Sequence, residues 1–452
     1  MTNAVVNLRN PEMLFPSIIL FSSLLAGTTA QAPEARIAAA LQQVADHVAA
    51  KFNCSIAMSY FLPGASGIPS ANVSVAAGFT DAGLRLGNPT RAALPEDVYV
   101  YGSITKLFTA AAILQLIDAG KLAYADTVTS RVDAFLEAVN GTKLETLLGE
   151  GIRKVTIAEL LHMTSGIGDY DGTKYTVDQF ANFAHDFSPI EILRGYVPPL
   201  SPYVKPGTSQ HYCSTNYILL GMVLAAQAWA EGGPASWQAY DQKASVLPAS
   251  LKHNLLLGST FVDAGRCSAY TPVHGFLQSY VGVQPPIASQ DVWNVSCVGG
   301  WTAGNFIGPI GDVARFTHEL YRPGSQLVSA AAQQQMRNFS APGTSSGHFY
   351  GMGTFDLDWS IGAVDGTGAA YGHVGDTYGY QSQSTFFHGL GPSGSALAVA
   401  TNVETSSQAQ PGEATCLGYH AVKAVLEGTS PPACTFVVPQ RFIGKCTCTP
   451  AP

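Results

Sequence analysis

The sequence predicts an α+β fold. An antiparallel sheet built from both chain ends is flanked by helices, and a mostly helical lobe is inserted between its two halves. Short strand-like segments bounded by Gly, Pro and Ser lie at 54–79 and recur from about 350 onward. Between them, residues 101 to about 340 contain long apolar segments with helical spacing. A cleft between the two lobes is the expected place for a ligand site.

Length and composition favour one large two-lobed domain. The chain has 452 residues, of which 46% are apolar and 12% charged, which suits a large buried core. The predicted domain spans 33–428, with a sheet lobe at about 33–100 plus 345–428, a helical lobe at about 101–344, and a Pro/Cys-rich tail at 429–452. The net charge of −8, without any basic run, argues against nucleic acid as a partner.

The first thirty residues resemble a secretory signal peptide. Arg9 precedes an apolar segment at 13–27, and small residues follow as far as Ala30. Cleavage is expected after Ala30, with an uncleaved signal anchor as the alternative. No other segment has the length and hydrophobicity of a membrane span, so we expect a mature protein without one. An even number of cysteines, eight, fits disulfide formation in an oxidising, extracellular setting. Five sequons predict a secreted glycoprotein, at Asn53, Asn72, Asn140, Asn294 and Asn338.

The individual elements follow from local spacing and turn residues. Along the chain, helices are expected at 35–50, 101–119, 155–166, 217–229, 310–320 and 413–427. Strands are expected at 54–62, 71–79, 350–356, 381–387 and 396–402.

The apolar helix that begins near residue 101 carries the first chemical signal. Ser103 and Lys106 are three residues apart, so both side chains lie on the same face of its first turn. Because burial lowers the pKa of a lysine, a neutral amine beside the serine hydroxyl could act as its general base. The alternative is a helix cap at Ser103 with the lysine in solvent, since Ser-x-x-Lys occurs by chance in many chains.

Two later segments complete a pattern. Residues 212–221 read Tyr-Cys-Ser-Thr-Asn-Tyr-Ile-Leu-Leu-Gly, and 372–375 read Gly-His-Val-Gly. Together with 101–110 and 155–167, they resemble the serine β-lactamase/D-alanyl-D-alanine carboxypeptidase family, in its class C β-lactamase-related, esterase-like branch. The resemblance covers about 35–428 and implies the β-lactamase/transpeptidase fold.

The resemblance also implies residue roles. Ser103 would be the nucleophile that forms an acyl-enzyme, and Lys106 and Tyr212 would share the general base and acid work, in an order that the sequence leaves open. His373 would lie on the strand that lines the cleft and hold either the proton network or the substrate carboxylate. With Ser214, Gly375 and Asp376 it would form the substrate-binding part of the site. The backbone N–H groups of Ser103 and Asp376 would form the oxyanion hole.

Three positions depart from the family pattern and bear on the substrate. Ser214 stands where the family has asparagine, and a hydroxyl offers only one donor. His373 replaces a lysine and so removes a permanent cation, while Asp376 adds a negative charge nearby. These changes favour neutral esters or small amides over penicillins, and a small-molecule or short-peptide substrate. Cys213 is expected to be buried, with a disulfide as the alternative.

The leading hypothesis is a secreted serine hydrolase that acts on an ester, amide or lactam bond. The alternatives are a non-catalytic scaffold or binding protein, which the Ser214 replacement keeps open, and a transpeptidase. Ser345, within Gly-Thr-Ser-Ser-Gly, resembles a nucleophile elbow but lacks the flanking strand and helix that this turn needs. No motif indicates a metal, nucleotide or flavin, so we expect no cofactor. The expected cleft walls are Tyr101, Asp169, Tyr170, Tyr203, Trp301 and Tyr378.

Overall fold

A computed structural model describes residues 32–64, 71–81, 91–277, 290–340, 349–363, 367–405 and 408–435. The predicted signal peptide, Ser345 and most of the C-terminal tail lie outside these ranges. Within them the α-helices are α1 (Pro33–Phe52), α2 (Thr105–Asp118), α3 (Val128–Asn140), α4 (Leu144–Leu148), α5 (Ile157–Leu161), α6 (Thr173–Ala181), α7 (Pro189–Tyr196), α8 (Thr215–Ala230), α9 (Gln242–Val246), α10 (Ile310–Tyr321), α11 (Ala330–Met336) and α12 (Ala409–Glu427).

The strands form one large and two small sheets. They are β1 (Ile56–Leu62), β2 (Ala71–Ala77), β3 (Val98–Val100), β4 (Thr260–Phe261), β5 (Phe276–Leu277), β6 (Gln290–Asp291), β7 (Phe306–Pro309), β8 (Phe355–Asp356), β9 (Ala370–Thr377), β10 (Tyr380–Phe387), β11 (Ser395–Thr401) and β12 (Val403–Glu404). The large sheet has the order β2-β1-β11-β10-β9-β8, and all its pairs are antiparallel. Both chain ends therefore contribute to one sheet, which confirms the predicted α+β fold class.

Helices cover both faces of the large sheet. Gly418 of α12 packs on Met58 and Leu397. Gly311 of α10 instead lies beside Ser59 on the same strand as Met58. Since alternate residues of a strand face opposite sides, α12 and α10 lie on opposite faces. The strands β10 and β11 are accordingly buried along their whole length.

The inserted region is built around α2 and α8, both almost entirely buried in their first ten residues or more. The strand β7 pairs with β3 and β4 and leads directly into α10. Because β3 precedes α2 without a long connection, this small sheet sets the position at which α2 begins. Asp376, near the end of β9, lies against Gly102 in the turn before α2. This part of the large sheet is therefore beside the start of α2.

Two predicted elements are shorter in the structure, each for a local reason. The helix expected at 155–166 ends at Leu161, because Met163 adopts a left-handed conformation with φ of 60°. The strand expected at 350–356 is reduced to β8, since the Gly351 N–H bonds the Thr354 carbonyl at 2.8 Å and turns the chain. The helix around Ser103 begins as a 3-10 turn, Gly102–Ile104, before α2.

Several features bear on where the protein works. Two disulfides join Cys267 to Cys297 and Cys416 to Cys434, while Cys213 is a buried free thiol. All five sequon asparagines are exposed. Across the described ranges, no helix combines the length and apolar character that crossing a membrane requires.

Candidate active site

Ser103 lies in the 3-10 turn between β3 and α2, where backbone contacts from two sheets hold the chain. The Tyr101 N–H donates to the Phe306 carbonyl of β7 at 3.1 Å. The Ser382 hydroxyl of β10 donates to the Tyr101 carbonyl, also at 3.1 Å. The turn that presents the Ser103 hydroxyl is therefore anchored to both the small and the large sheet.

The residue before Ser103 has to be glycine. Gly102 has φ of 51°, a conformation that side chains disfavour. A β-carbon at this position would lie 2.6 Å from the carbonyl oxygen of Asp376. The close approach brings the end of β9 against the turn, so the predicted pair of backbone donors, from Ser103 and Asp376, belongs to adjacent segments.

Lys106 is fully buried and its amine contacts the Ser103 hydroxyl directly. Its Nζ lies 2.8 Å from the Ser103 hydroxyl and donates to the Ala303 carbonyl at the same distance. Burial lowers the pKa of Lys106 to about 8, and the nearby carboxylates of Asp169 and Asp171 only partly oppose this shift. A useful fraction of the amine is thus neutral near physiological pH and can accept the serine proton.

Tyr212 reaches the same point from the loop before α8. The Lys106 amine lies over its ring, 5.2 Å from the centroid. Burial raises the pKa of Tyr212 well above its ordinary value, and the nearby Ser103 hydroxyl opposes this shift. Among the described groups, the buried Tyr212 hydroxyl has no hydrogen-bond partner of normal geometry. In the folded protein Tyr212 is therefore a neutral phenol, which suits a proton donor.

His373 is fully buried behind Tyr212 and is not one of the residues that line the cleft. Burial, with Lys106 nearby, lowers the pKa of His373 far below its usual value, so the ring is neutral. Its Nδ1 must donate to the Val374 carbonyl at 2.6 Å, since a carbonyl only accepts. Nε2 then accepts from the Tyr350 hydroxyl at 3.0 Å. His373 therefore has no proton or lone pair left for a substrate.

Tyr350 and Phe355 connect His373 to Tyr212. The Tyr350 ring meets the Tyr212 ring edge to face, with 5.6 Å between the ring centroids. The Phe355 ring stacks on the same Tyr212 ring at 5.2 Å. Tyr350 is fully buried, and Gln210 donates to its carbonyl at 2.7 Å. These packed rings fix the orientation of Tyr212, so the third motif supports the site from behind.

A small cleft that opens to solvent lies in front of Ser103. Ser214 and Asp376 line it, as does Asp171, which the sequence reasoning missed. Ser214 stands at the start of α8, where its N–H donates to Asp169 Oδ1 at 3.1 Å. Gly375 has the Tyr101 carbonyl 2.0 Å from the place of a β-carbon, so no side chain fits there.

Of the expected cleft walls, Tyr170 and Tyr378 line the cleft. The remaining four lie elsewhere: Tyr101 and Trp301 are fully buried, Asp169 lies behind Ser214, and Tyr203 is 89% exposed. Asp171, Tyr350 and the Ala303 carbonyl were not predicted. For Asp171 the sequence offered one signal, the Asp-x-Asp pair that follows the 155–167 segment. Tyr350 and the Ala303 carbonyl reach the site only through contacts of the folded chain, so no sequence pattern marks them.

The chain is similar to known proteins over most of its length. A family model described as Beta-lactamase matches residues 59–415. The chain belongs to the β-lactamase family. Penicillin-binding protein 4 of Amycolatopsis lactamdurans is 27% identical to this β-lactamase-family protein over 314 residues, covering 68% of this chain and 72% of the relative.

Solved structures support the same fold. D-amino acid amidase from Ochrobactrum anthropi SV3 superposes with a TM-score of 0.60 at 16% identity, covering 86% of this chain and 98% of the amidase. D-stereospecific amidohydrolase from Streptomyces sp. gives 0.59 at 21% identity, with 87% and 99% covered. At these identities the likeness establishes the β-lactamase/transpeptidase fold.

Proposed function

We propose that this protein is a secreted serine hydrolase that cleaves an ester, amide or lactam bond through an acyl-enzyme on Ser103. The observation that carries the proposal is the 2.8 Å contact between the Ser103 hydroxyl and the fully buried Lys106 amine. A buried amine with a pKa of about 8 beside a hydroxyl is the arrangement that activates a serine.

In acylation, neutral Lys106 takes the proton of Ser103 while the serine oxygen bonds the substrate carbonyl carbon. Neutral Tyr212 gives its proton to the leaving oxygen or nitrogen as the scissile bond breaks, and the Lys106 ammonium returns a proton to Tyr212. The high pKa of Tyr212 and the low pKa of Lys106 support this division of roles. Water then attacks the acyl-enzyme by the same route in reverse.

The negative oxygen of the tetrahedral intermediate needs preorganised donors. We propose that the backbone N–H groups of Ser103 and Asp376 provide them, because Gly102 brings these two segments together. Loss of one such donor typically raises the barrier by about 3 kcal/mol.

The cleft favours esters and small amides over anionic lactams. Ser214 has one hydroxyl where an asparagine would offer a carboxamide, and His373 is buried away from the cleft. Asn216, two residues later, does not replace the missing carboxamide, because it donates to the Cys213 carbonyl inside the protein. A small molecule or short peptide is the substrate class that fits this opening.

Labelling with a neutral fluorophosphonate probe tests the proposal. We expect one adduct per chain on the peptide that contains Ser103, and no adduct in Ser103→Ala. Ser345→Ala is the matched control and should label like wild type, since Ser345 lacks the context of a nucleophile. Absence of labelling in folded wild type at pH 8–9 would instead favour a binding or scaffold protein. Ser214→Asn would then be the first change to restore activity.

Export is proposed on independent grounds. The predicted signal peptide at 1–30, the two disulfides and the five exposed sequons all fit an extracellular protein. Expression of the full chain in a eukaryotic host should give secreted protein that begins near residue 31, as terminal sequencing would show.

A further inference from the structure

The loop that carries Tyr212, residues 210–213, is bonded to the segment just after α5 on both sides of the tyrosine. The His211 N–H donates to the Met163 carbonyl at 3.0 Å. The Cys213 N–H donates to the sulfur of the same methionine at 3.4 Å. Met163 thus accepts a hydrogen bond from each of the two residues that flank Tyr212. One residue therefore holds the backbone from which the phenol projects.

Met163 adopts a backbone conformation that is uncommon for a residue with a side chain. Its φ of 60° lies in the left-handed region, and its side chain is buried. In this conformation the carbonyl and the sulfur of Met163 both reach the Tyr212 loop. Backbone strain of this kind is common at functional sites, where the surrounding structure maintains it. The strained residue here is the one that contacts both neighbours of Tyr212.

A buried amide joins the same sulfur to the loop. Asn216 Nδ2 donates to the Met163 sulfur at 3.3 Å and to the Cys213 carbonyl at 3.1 Å. The Ser165 hydroxyl donates to Asn216 Oδ1 at 2.5 Å and holds the amide in this orientation. The thioether, although a weak acceptor, therefore receives two buried N–H groups. An apolar side chain of the same size would deprive both groups of this acceptor, which is costly inside a protein.

The Tyr212 hydroxyl does not fix its own position. Among the described groups it has no hydrogen-bond partner of normal geometry, so its place depends on the backbone and on the rings around it. Tyr350 packs against the Tyr212 ring, and Gln210 donates to the carbonyls of His162 at 2.9 Å and of Tyr350 at 2.7 Å. These contacts hold the ring and the start of the loop, whereas the two bonds to Met163 enclose Tyr212 along the chain.

We propose, resting on the proton-donor role given to Tyr212 above, that Met163 is a positioning residue that holds the phenol at the leaving group. Its effect on the rate should then depend on how much the leaving group needs a proton. A nitrophenolate leaves without one, whereas an alkoxide must be protonated as the scissile bond breaks. A displaced Tyr212 would therefore slow substrates of the second kind selectively.

Met163→Leu tests this role, because leucine has a similar volume and no acceptor. Two esters of one acid, 4-nitrophenyl butyrate and ethyl butyrate, are compared by kcat/KM, which reports acylation in both cases. In Met163→Leu, kcat/KM should fall about tenfold for the ethyl ester and by less than about twofold for the nitrophenyl ester. Tyr212→Phe should show the same selectivity, and adding Met163→Leu to it should cause no further selective loss.

Met58→Leu provides the matched control, because Met58 is a fully buried methionine of β1 that packs against Gly418 of α12. The ratio of its kcat/KM values for the two esters should equal that of wild type. An equal loss on both esters in Met163→Leu, or a further selective loss when Met163→Leu is added to Tyr212→Phe, would overturn the inference.

Amide hydrogen exchange separates this inference from the proposed function, because it needs no substrate. In Met163→Leu, peptides that contain residues 210–213 should exchange about tenfold faster than in wild type, whereas Met58→Leu should leave them unchanged. If Ser103 labels with the fluorophosphonate but exchange in the loop is unchanged, the role of Met163 is wrong and the hydrolase stands. If exchange is faster but Ser103 does not label, the hydrolase is wrong and the attachment of the loop to Met163 stands.

Discussion

Replacing Lys106 with methionine should remove acylation and change how stability depends on pH. Burial lowers the pKa of this lysine from 10.5 to about 8. Below pH 8 the folded protein holds a buried ammonium, which costs about 3 kcal/mol relative to the unfolded chain. Between pH 8 and 10.5 only the unfolded chain binds this proton, so the unfolding free energy of wild type rises with pH.

The size of the effect follows from the contacts of the amine. Methionine avoids the cost of a buried charge, but it leaves the Ala303 carbonyl without its Lys106 donor. An unsatisfied buried acceptor costs about 1–3 kcal/mol, so Lys106→Met is expected to be as stable as wild type at pH 7, or up to about 2 kcal/mol more stable. From pH 7 to 9.5, wild type should gain about 2 kcal/mol relative to the variant.

Urea unfolding of both proteins at pH 7 and 9.5, with the disulfides intact, measures this difference. The many buried tyrosines titrate equally in both proteins and cancel. Lys121→Met is the control, because Lys121 is half-exposed and pairs with Glu231 on the surface. The difference in unfolding free energy between Lys121→Met and wild type should be the same at pH 7 and at pH 9.5. A constant difference for Lys106→Met as well, or labelling of that variant by fluorophosphonate, would refute the reasoning.

Three further results are expected. Tyr350→Phe removes the hydroxyl that donates to His373, so it should lower the free energy of unfolding by about 1–3 kcal/mol and reduce kcat with little change in KM. Tyr321→Phe, which loses a contact with the Thr354 hydroxyl, should lower the free energy of unfolding alone. Gly102→Ala should abolish fluorophosphonate labelling, because its β-carbon meets a carbonyl, while Gly120→Ala, with φ of 68° but open space, should still label; equal labelling would contradict the steric argument. Endoglycosidase should lower the mass of secreted protein, and an unchanged mass would show that the exposed sequons are unmodified.

The contact between Ser103 and Lys106 could be predicted because their relation is local. Ser103 and Lys106 are three residues apart, so helical geometry alone places them together. The ends of α1, α8 and α10 were predicted to within about two residues, since apolar residues at helical spacing and few breakers define these helices.

The role of His373 could not be predicted in the same way. Successive residues of a strand face opposite sides of the sheet. Because small residues surround His373, the sequence does not show which side of this strand is buried and which faces the cleft. Its partner Tyr350 meets it only through the pairing of the last strands, and no spacing in the sequence records that contact. Asp171 was visible as a charge, yet its approach to Asp376 depends on packing of the two lobes.

The pairing of β1 with β11 has a consequence for biosynthesis. Ile56 lies opposite Thr401, so the centre of the large sheet closes only after nearly the whole chain has been made. A topology dominated by such distant pairs folds slowly. Incomplete chains on the ribosome should therefore carry no active nucleophile. Timed translation in the presence of the fluorophosphonate probe should label full-length product alone, and labelled shorter chains would show that the helical region matures independently.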